Sequence, residues 1–381
     1  MGSATIVLSR GAVPYSNSII EARGKTRNKN KYTNLWNGRF LGISLPCHGK
    51  RNMPCRLYTS TGETKPTNDL QELLLTLPSE KNWDGSSLHL YGGVWYPAYA
   101  ISGVVSFQQH FIAQNSDIIL ASMPASGMPW LKALAFSVIN RNHQSPKESP
   151  LLFTSPHELV RSLENDLYFK TNHPNLEQLP LPRIFSTHAH YSSLPLSIID
   201  SKCKIVFICR NPLDQAISYF LFASKSRQEN DKPGSSIEEH FEKICRGVQN
   251  YGPFWDSSLG YWKESLERPE KVLFLRYEDL KDNTISNLKK LAEFLGFPFS
   301  ENEEKERVLE EILSLCSFDN LKDLKVNKNG VRPNGVPNSV FFRSEEVGHW
   351  SNYLSPQMAE NFRKTAEERL VGSGLAFKIS Q

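Results

Sequence analysis

The sequence predicts an α/β fold: a single domain with a central, mostly parallel sheet flanked by helices, and a P-loop-like turn after one of its strands. Three observations carry this. Short apolar runs recur at Asp117–Met123, Arg183–Thr187, Lys204–Cys209 and Lys271–Arg276. Their near-continuous hydrophobicity is that of strands buried on both faces. Segments of helical spacing lie between them, the alternation that covers a parallel sheet from both sides. The first run ends in Pro124-Ala125-Ser126-Gly127, ahead of a helix expected to begin near Trp130. Such a strand-turn-helix layout aims backbone N–H groups and a helix N-terminus at one point, as anion sites do.

Taken in order, residues 1–68 lack sustained periodicity and are rich in Gly, Asn, Ser and Lys. They read as an irregular leader. Periodicity begins behind an expected Asp69 N-cap, where Leu70, Leu73, Leu74 and Leu77 share a helical face. Residues 69–381 then form the domain. Ser155, Pro156 and Glu158 give an N-cap, an N1 proline and a capping-box acid. Asn283-Thr284 opens a helix carrying Leu288, Leu291, Phe294 and Leu295, which Gly296 and Pro298 end. Ser355-Pro356 opens another that stops at Gly372. The aromatic stretches Tyr91–Tyr99 and Phe254–Trp262 read as core, with part of the first as a pocket wall.

Composition excludes several classes. The chain has 381 residues, 39% hydrophobic and 22% charged, and no apolar run long enough for a bilayer span. Its six cysteines are scattered without a CxxC pair, so neither a disulfide framework nor a zinc site is expected, and a reducing compartment fits. The net charge of +4 is uneven: ten Lys and Arg fall between Arg10 and Arg56, where Glu21 is the sole acid. A disordered tail, a plastid transit peptide and a nucleic-acid arm all fit such a leader, the tail most simply.

The segment from Asp117 to Asn140 resembles the 5′-phosphosulfate loop of the cytosolic sulfotransferases, PKSGTTW followed by LKAL. Pro124, Ser126, Gly127, Trp130, Leu131, Lys132, Ala133 and Leu134 match it, whereas Ala125 replaces the lysine and Met128 and Pro129 replace the threonines. Phe185-Ser186-Thr187-His188 is similar to the strand that brings in the family's catalytic histidine. Cys209 to Ser218 resembles the CRNPKDxxVS segment that binds the 3′-phosphate. Gly252 to Asp256 and Leu259 to Trp262 resemble GPFWDH and LGYW of the plant members. Arg276 to Lys281 reads RYEDLK, and Phe342-Arg343 with Val347, Gly348 and Trp350 echoes FRKGxVGDW. Ordered motifs of this kind run from about Asp69 to Ser380.

The resemblance implies sulfuryl transfer from 3′-phosphoadenylyl sulfate, with 3′,5′-ADP as product and no metal. The acceptor is a small hydroxylated plant metabolite of the flavonoid, brassinosteroid, hydroxyjasmonate or desulfoglucosinolate classes. It implies His188 as general base, a role worth about 10²- to 10⁴-fold. His190, two residues on, is expected to face the same side in an extended stretch, as an alternative base or a pocket-lining group. Cofactor binding falls to Ala125, Ser126, Gly127, Met128, Pro129 and Trp130 of the loop, to Arg210 and Ser218, to Tyr277, and to Arg343, Ser344 and Glu345. Cys316 to Leu321 takes the place of a second adenine-contact loop.

Three substitutions weaken that site. Ala125 brings neither charge nor donor, Pro129 removes a backbone N–H, and Met128 replaces a hydroxyl with bulk. Lys132, a turn into the helix, is not expected to project to the place of the missing lysine. Ser344 and Glu345 stand where lysine and glycine are expected, and an inward Glu345 would repel a phosphate. Two readings therefore stand: an active sulfotransferase, its activity impaired or not, and a degenerate nucleotide-binding paralogue with little turnover. A nucleoside-triphosphate phosphotransferase is disfavoured because no GK[ST] follows the turn. Neither nucleic acid nor membrane is expected as a partner, a homodimer is allowed, and the location expected is cytoplasmic, with plastid targeting as the alternative.

Overall fold

The apolar runs pair side by side. In the computed structural model, which describes residues 68–226 and 236–379, β4 (Ile118–Ser122), β5 (Ile184–Thr187), β6 (Lys204–Cys209) and β7 (Val272–Arg276) form a parallel sheet in the order β5-β4-β6-β7. Ile119 pairs with Phe185 and Ile205, and Phe207 with Phe274. Alternate residues of each strand enter different cores. Ile119, Ala121, Ile205 and Phe207 join one cluster, whereas Ile118, Leu120, Val206 and Ile208 join the other. Both faces are covered, which is why these strands lack a polar alternation.

The helix after β4 runs from Met128 to Asn140, two residues earlier than the sequence suggested. Gly127 is its N-cap at φ 98°, and Pro129 lies in the first turn, where its missing N–H breaks no helical bond. The helix Asn68–Thr76 and the following turn place Leu70, Leu73, Leu74 and Leu77 against the first core. Asp69 falls inside that helix, not at its cap. Thr284–Leu295 ends on Gly296 at φ 88°, and Ser355 caps Pro356–Leu370 by accepting from the Met358 N–H. Ser155 occupies the N-cap of Pro156–Leu159, but its hydroxyl makes no capping bond. The leader, but for Asn68, lies outside the described residues, with Cys47 and Cys55.

A second sheet is absent from the sequence reading. Strands β1 (Ser79–Lys81), β2 (Ser87–Tyr91) and β3 (Val94–Pro97) form an antiparallel meander. Gly92 and Gly93, both at positive φ, make its two-residue hairpin turn. Tyr96 is fully buried there, whereas Tyr99 is 61% exposed, so the aromatic stretch is only partly core.

Candidate nucleotide and transfer site

Four residue groups converge at the carboxyl ends of the parallel strands, the edge where open α/β sheets hold ligands. β4 delivers the turn Pro124–Gly127, β5 delivers His188, β6 delivers Arg210 and β7 delivers Tyr277. They line one cavity of about 160 Å³, closed by Phe222, Phe318, Leu321 and the segment Val340–Glu345. Ala125, Gly127, Met128, Pro129, Trp130, His188, Arg210, Ser218, Tyr277, Arg343, Ser344 and Glu345 all line it. Ser126 does not. Its side chain is fully buried and its hydroxyl has no partner.

The loop is held by its neighbours. Gln215 Nε2 donates to the Pro124 carbonyl at 2.8 Å. A Cβ on Gly127 would lie 2.7 Å from the Tyr277 ring, so the turn admits only glycine there. Ala125 adopts φ 64°, a left-handed conformation that a side chain makes costly. Trp130 meets Tyr277 edge-on at 5.5 Å between centroids.

His188 is set for one tautomer. Its Nδ1 lies 2.8 Å from the Ser122 carbonyl oxygen, which can only accept, so the proton sits on Nδ1 and Nε2 keeps its lone pair. The backbone N–H of His188 donates to Glu164 Oε1 at 2.7 Å. Burial, together with the charge of Lys132 and against the Ser122 bond, pushes the imidazole down to about 4, leaving it neutral near pH 7. His190 does not share this cavity. β5 ends at Thr187 and the chain turns into Tyr191–Ser193, so the His190 Nε2–H donates to the Tyr251 carbonyl at 2.8 Å.

At the other end, Arg210 lies 4.7 Å above the Tyr277 ring and donates through Nη2 to the Glu346 carbonyl, while its buried Nε has no partner. Arg343 Nη2 donates to Ser218 Oγ at 3.2 Å. Burial, and the charge of Arg210, push the Arg343 guanidinium down from its ordinary value. Among the described residues no carboxylate forms an ion pair with either arginine. The Glu345 carboxylate instead pairs with Lys281 at 2.8 Å. Two converging cations with an unused donor suit an anion, and Trp130, Phe318 and Leu321 suit a flat heterocycle, so the residues present fit a phosphorylated nucleotide.

Nothing in the one-dimensional pattern singles out Glu164, and Asp214 enters it only as one position of the Cys209–Ser218 match. Asp214 accepts from the Gly348 N–H at 2.8 Å and the Trp350 N–H at 3.0 Å, tying the C-terminal segment to the helix Pro212–Ser226. Both carboxylates are buried and accept backbone N–H groups, Glu164 from His188, which marks them as structural.

Residues 115–374 match the sequence model described as the sulfotransferase domain. The Arabidopsis thaliana protein named cytosolic sulfotransferase 15 is 44% identical over 82% of this chain and 88% of its own length. Cytosolic sulfotransferase 8 of the same plant is 43% identical over 81% and 93%. A sulphotransferase-family crystal structure from Arabidopsis thaliana superposes with a TM-score of 0.66 at 37% identity, covering 84% of this chain and all of the other. A mouse sulfotransferase solved with PAP superposes with a TM-score of 0.59 at 26% identity, covering 75% and 95%. Among the described residues no helix is long and apolar enough to cross a membrane.

Proposed function

This chain belongs to the sulfotransferase family, and from that premise we propose that it transfers a sulfuryl group from 3′-phosphoadenylyl sulfate to a hydroxyl of a small metabolite, with His188 as general base. One observation supports this above the others: the Ser122 carbonyl fixes the Nδ1 proton of His188, leaving a neutral Nε2 in the cavity that the phosphate loop and two arginines also line. Nε2 takes the acceptor's hydroxyl proton as the new S–O bond forms. When bound, the nucleotide supplies the sulfuryl group, and the electrons of the broken S–O bond leave on 3′,5′-ADP. Arg210 and Arg343 hold the 3′-phosphate, Ser218 orients Arg343, and Gly127, Met128 and Trp130 frame the 5′ end. Trp130, Tyr277, Phe318 and Leu321 hold the adenine.

A second reading, a nucleotide-binding protein with little turnover, draws on the loop itself, where Ala125 offers no cation and Pro129 no N–H. Transfer of labelled sulfate to a panel of phenolic, steroidal and hydroxylated aliphatic acceptors, run beside His188→Asn, separates the two. The proposal expects a loss of about 10²-fold or more in the variant with unchanged 3′,5′-ADP affinity. Absence of transfer to every acceptor with intact nucleotide binding favours the second reading. Transfer that survives in His188→Asn removes the base.

A further inference from the structure

Lys132 does not line the cavity, and its side chain does not take the place of the missing lysine. Its side chain is 2% exposed, one turn into the helix that follows the phosphate loop. Its Nζ lies 3.0 Å from Nδ1 of His157. Among the described residues no carboxylate comes within ion-pair distance of it, because the nearby Asp166 is taken by Arg332 at 2.6 Å. A buried ammonium with a single neutral partner is costly, and such groups gather where a ligand compensates them.

His157 carries the arrangement to the cavity. It lines the same cavity as His188 and the phosphate loop, its ring centroid 4.3 Å from that of Phe341. A charged lysine can only donate, so while Lys132 is protonated Nδ1 accepts and the ring proton sits on Nε2. That N–H is buried and has no acceptor. Burial and the neighbouring Lys132 push His157 well below its ordinary value, so the ring is a neutral donor. Burial pushes Lys132 down to about 7, partly opposed by Asp166.

The geometry points to Lys132 and His157 as a relay that presents one N–H to an anionic oxygen at the phosphate-loop end of the cavity, standing in for the cation that Ala125 lacks. His157 is the contacting group and Lys132 the positioning one. The inference rests on the proposed nucleotide, whose 5′-phosphate and sulfuryl group both offer such an oxygen.

Calorimetric titration with 3′-phosphoadenylyl sulfate, 3′,5′-ADP and pyrophosphate, acceptor absent, tests it in the full chain, with thermal melts checking folding. H157F is expected to lose ten-fold or more in affinity. H157Q, whose amide can occupy the place of Nε2, is expected to stay within about three-fold of the parent, a rescue that mere packing would not give. K132M is expected to weaken binding like H157F, and the double variant no further. Equal losses for both nucleotides put the oxygen on the 5′-phosphate, and a loss for the sulfated one alone puts it on the sulfuryl group. H157F binding every probe like the parent overturns the relay. H157Q falling as far as H157F also overturns it, and if K132M does not fold, the two His157 variants decide alone. A parent that ignores both nucleotides but binds pyrophosphate in a His157-dependent way refutes the nucleotide reading and keeps the relay. A parent that binds none of the three refutes both.

Discussion

Restoring a lysine at position 125 separates a damaged phosphate loop from a repaired one. Ala125 sits at φ 64°, where any L side chain costs about 1 kcal/mol or more. Ala125→Lys therefore leaves that strain unchanged and alters only the chemistry. Ala125 lines the cavity together with Gly127 and Trp130. A fixed donor aimed at charge developing on a leaving oxygen is worth about 3 kcal/mol, or roughly 100-fold in rate. Lys132, which burial pushes down to about 7, carries part of a positive charge nearby, and its repulsion of a second cation trims the gain. An increase of about 10- to 100-fold in kcat is expected, measured as transfer of labelled sulfate at saturating nucleotide. Adding Met128→Thr and Pro129→Thr, the latter restoring an N–H in the first helical turn, is expected to raise it further. A lysine variant that folds, binds 3′,5′-ADP and turns over within two-fold of the parent refutes the view that the loop lacks a working cation.

Two further consequences concern the scaffold. Gly127→Ala puts a Cβ 2.7 Å from the Tyr277 ring at φ 98°, so it should lower Tm by several degrees and weaken 3′,5′-ADP, with Gly127→Ser no better; an unchanged Tm by calorimetry contradicts the tight turn. Burial pushes His240 down to about 4 despite the bond from its Nε2–H to the Ala216 carbonyl. The unfolded chain protonates this ring near its ordinary value, so the stability it contributes is full above about pH 6.5 and is lost as pH falls towards 4. The loss is on the order of 3 kcal/mol. Urea midpoints at pH 7 and pH 5 should differ in that direction, and His240→Phe should shrink the difference; equal midpoints contradict it.

Much of this was legible because a single physical signal marked it. Strands buried on both faces have no polar alternation, so KIVFIC and its three counterparts stood out, and the structure pairs them in one sheet. Gly296 ends its helix because a left-handed cap needs glycine. The meander was less visible, since β1 is three residues long and half exposed, although Gly92-Gly93 between Tyr91 and Val94 carried a hairpin signal. His188 and His190 are equivalent in a two-residue period, and only the end of β5 at Thr187 parts them. Lys132 and His157 are 25 residues apart, so no local pattern could disclose their contact. The same holds for Glu345, whose charge warned of repulsion until Lys281, distant in sequence, was found to hold it.

Turnover requires that Arg210, Arg343 and the turn after β4 grip a nucleotide bearing two phosphates. Titration of the parent chain with 3′,5′-ADP in a calorimeter asks this directly. One saturable site per chain is expected, weakened about ten-fold or more by Arg210→Ala, the loss of a charge-assisted contact. A parent showing no saturable heat at millimolar nucleotide, or an Arg210→Ala variant that binds as tightly as the parent, contradicts it.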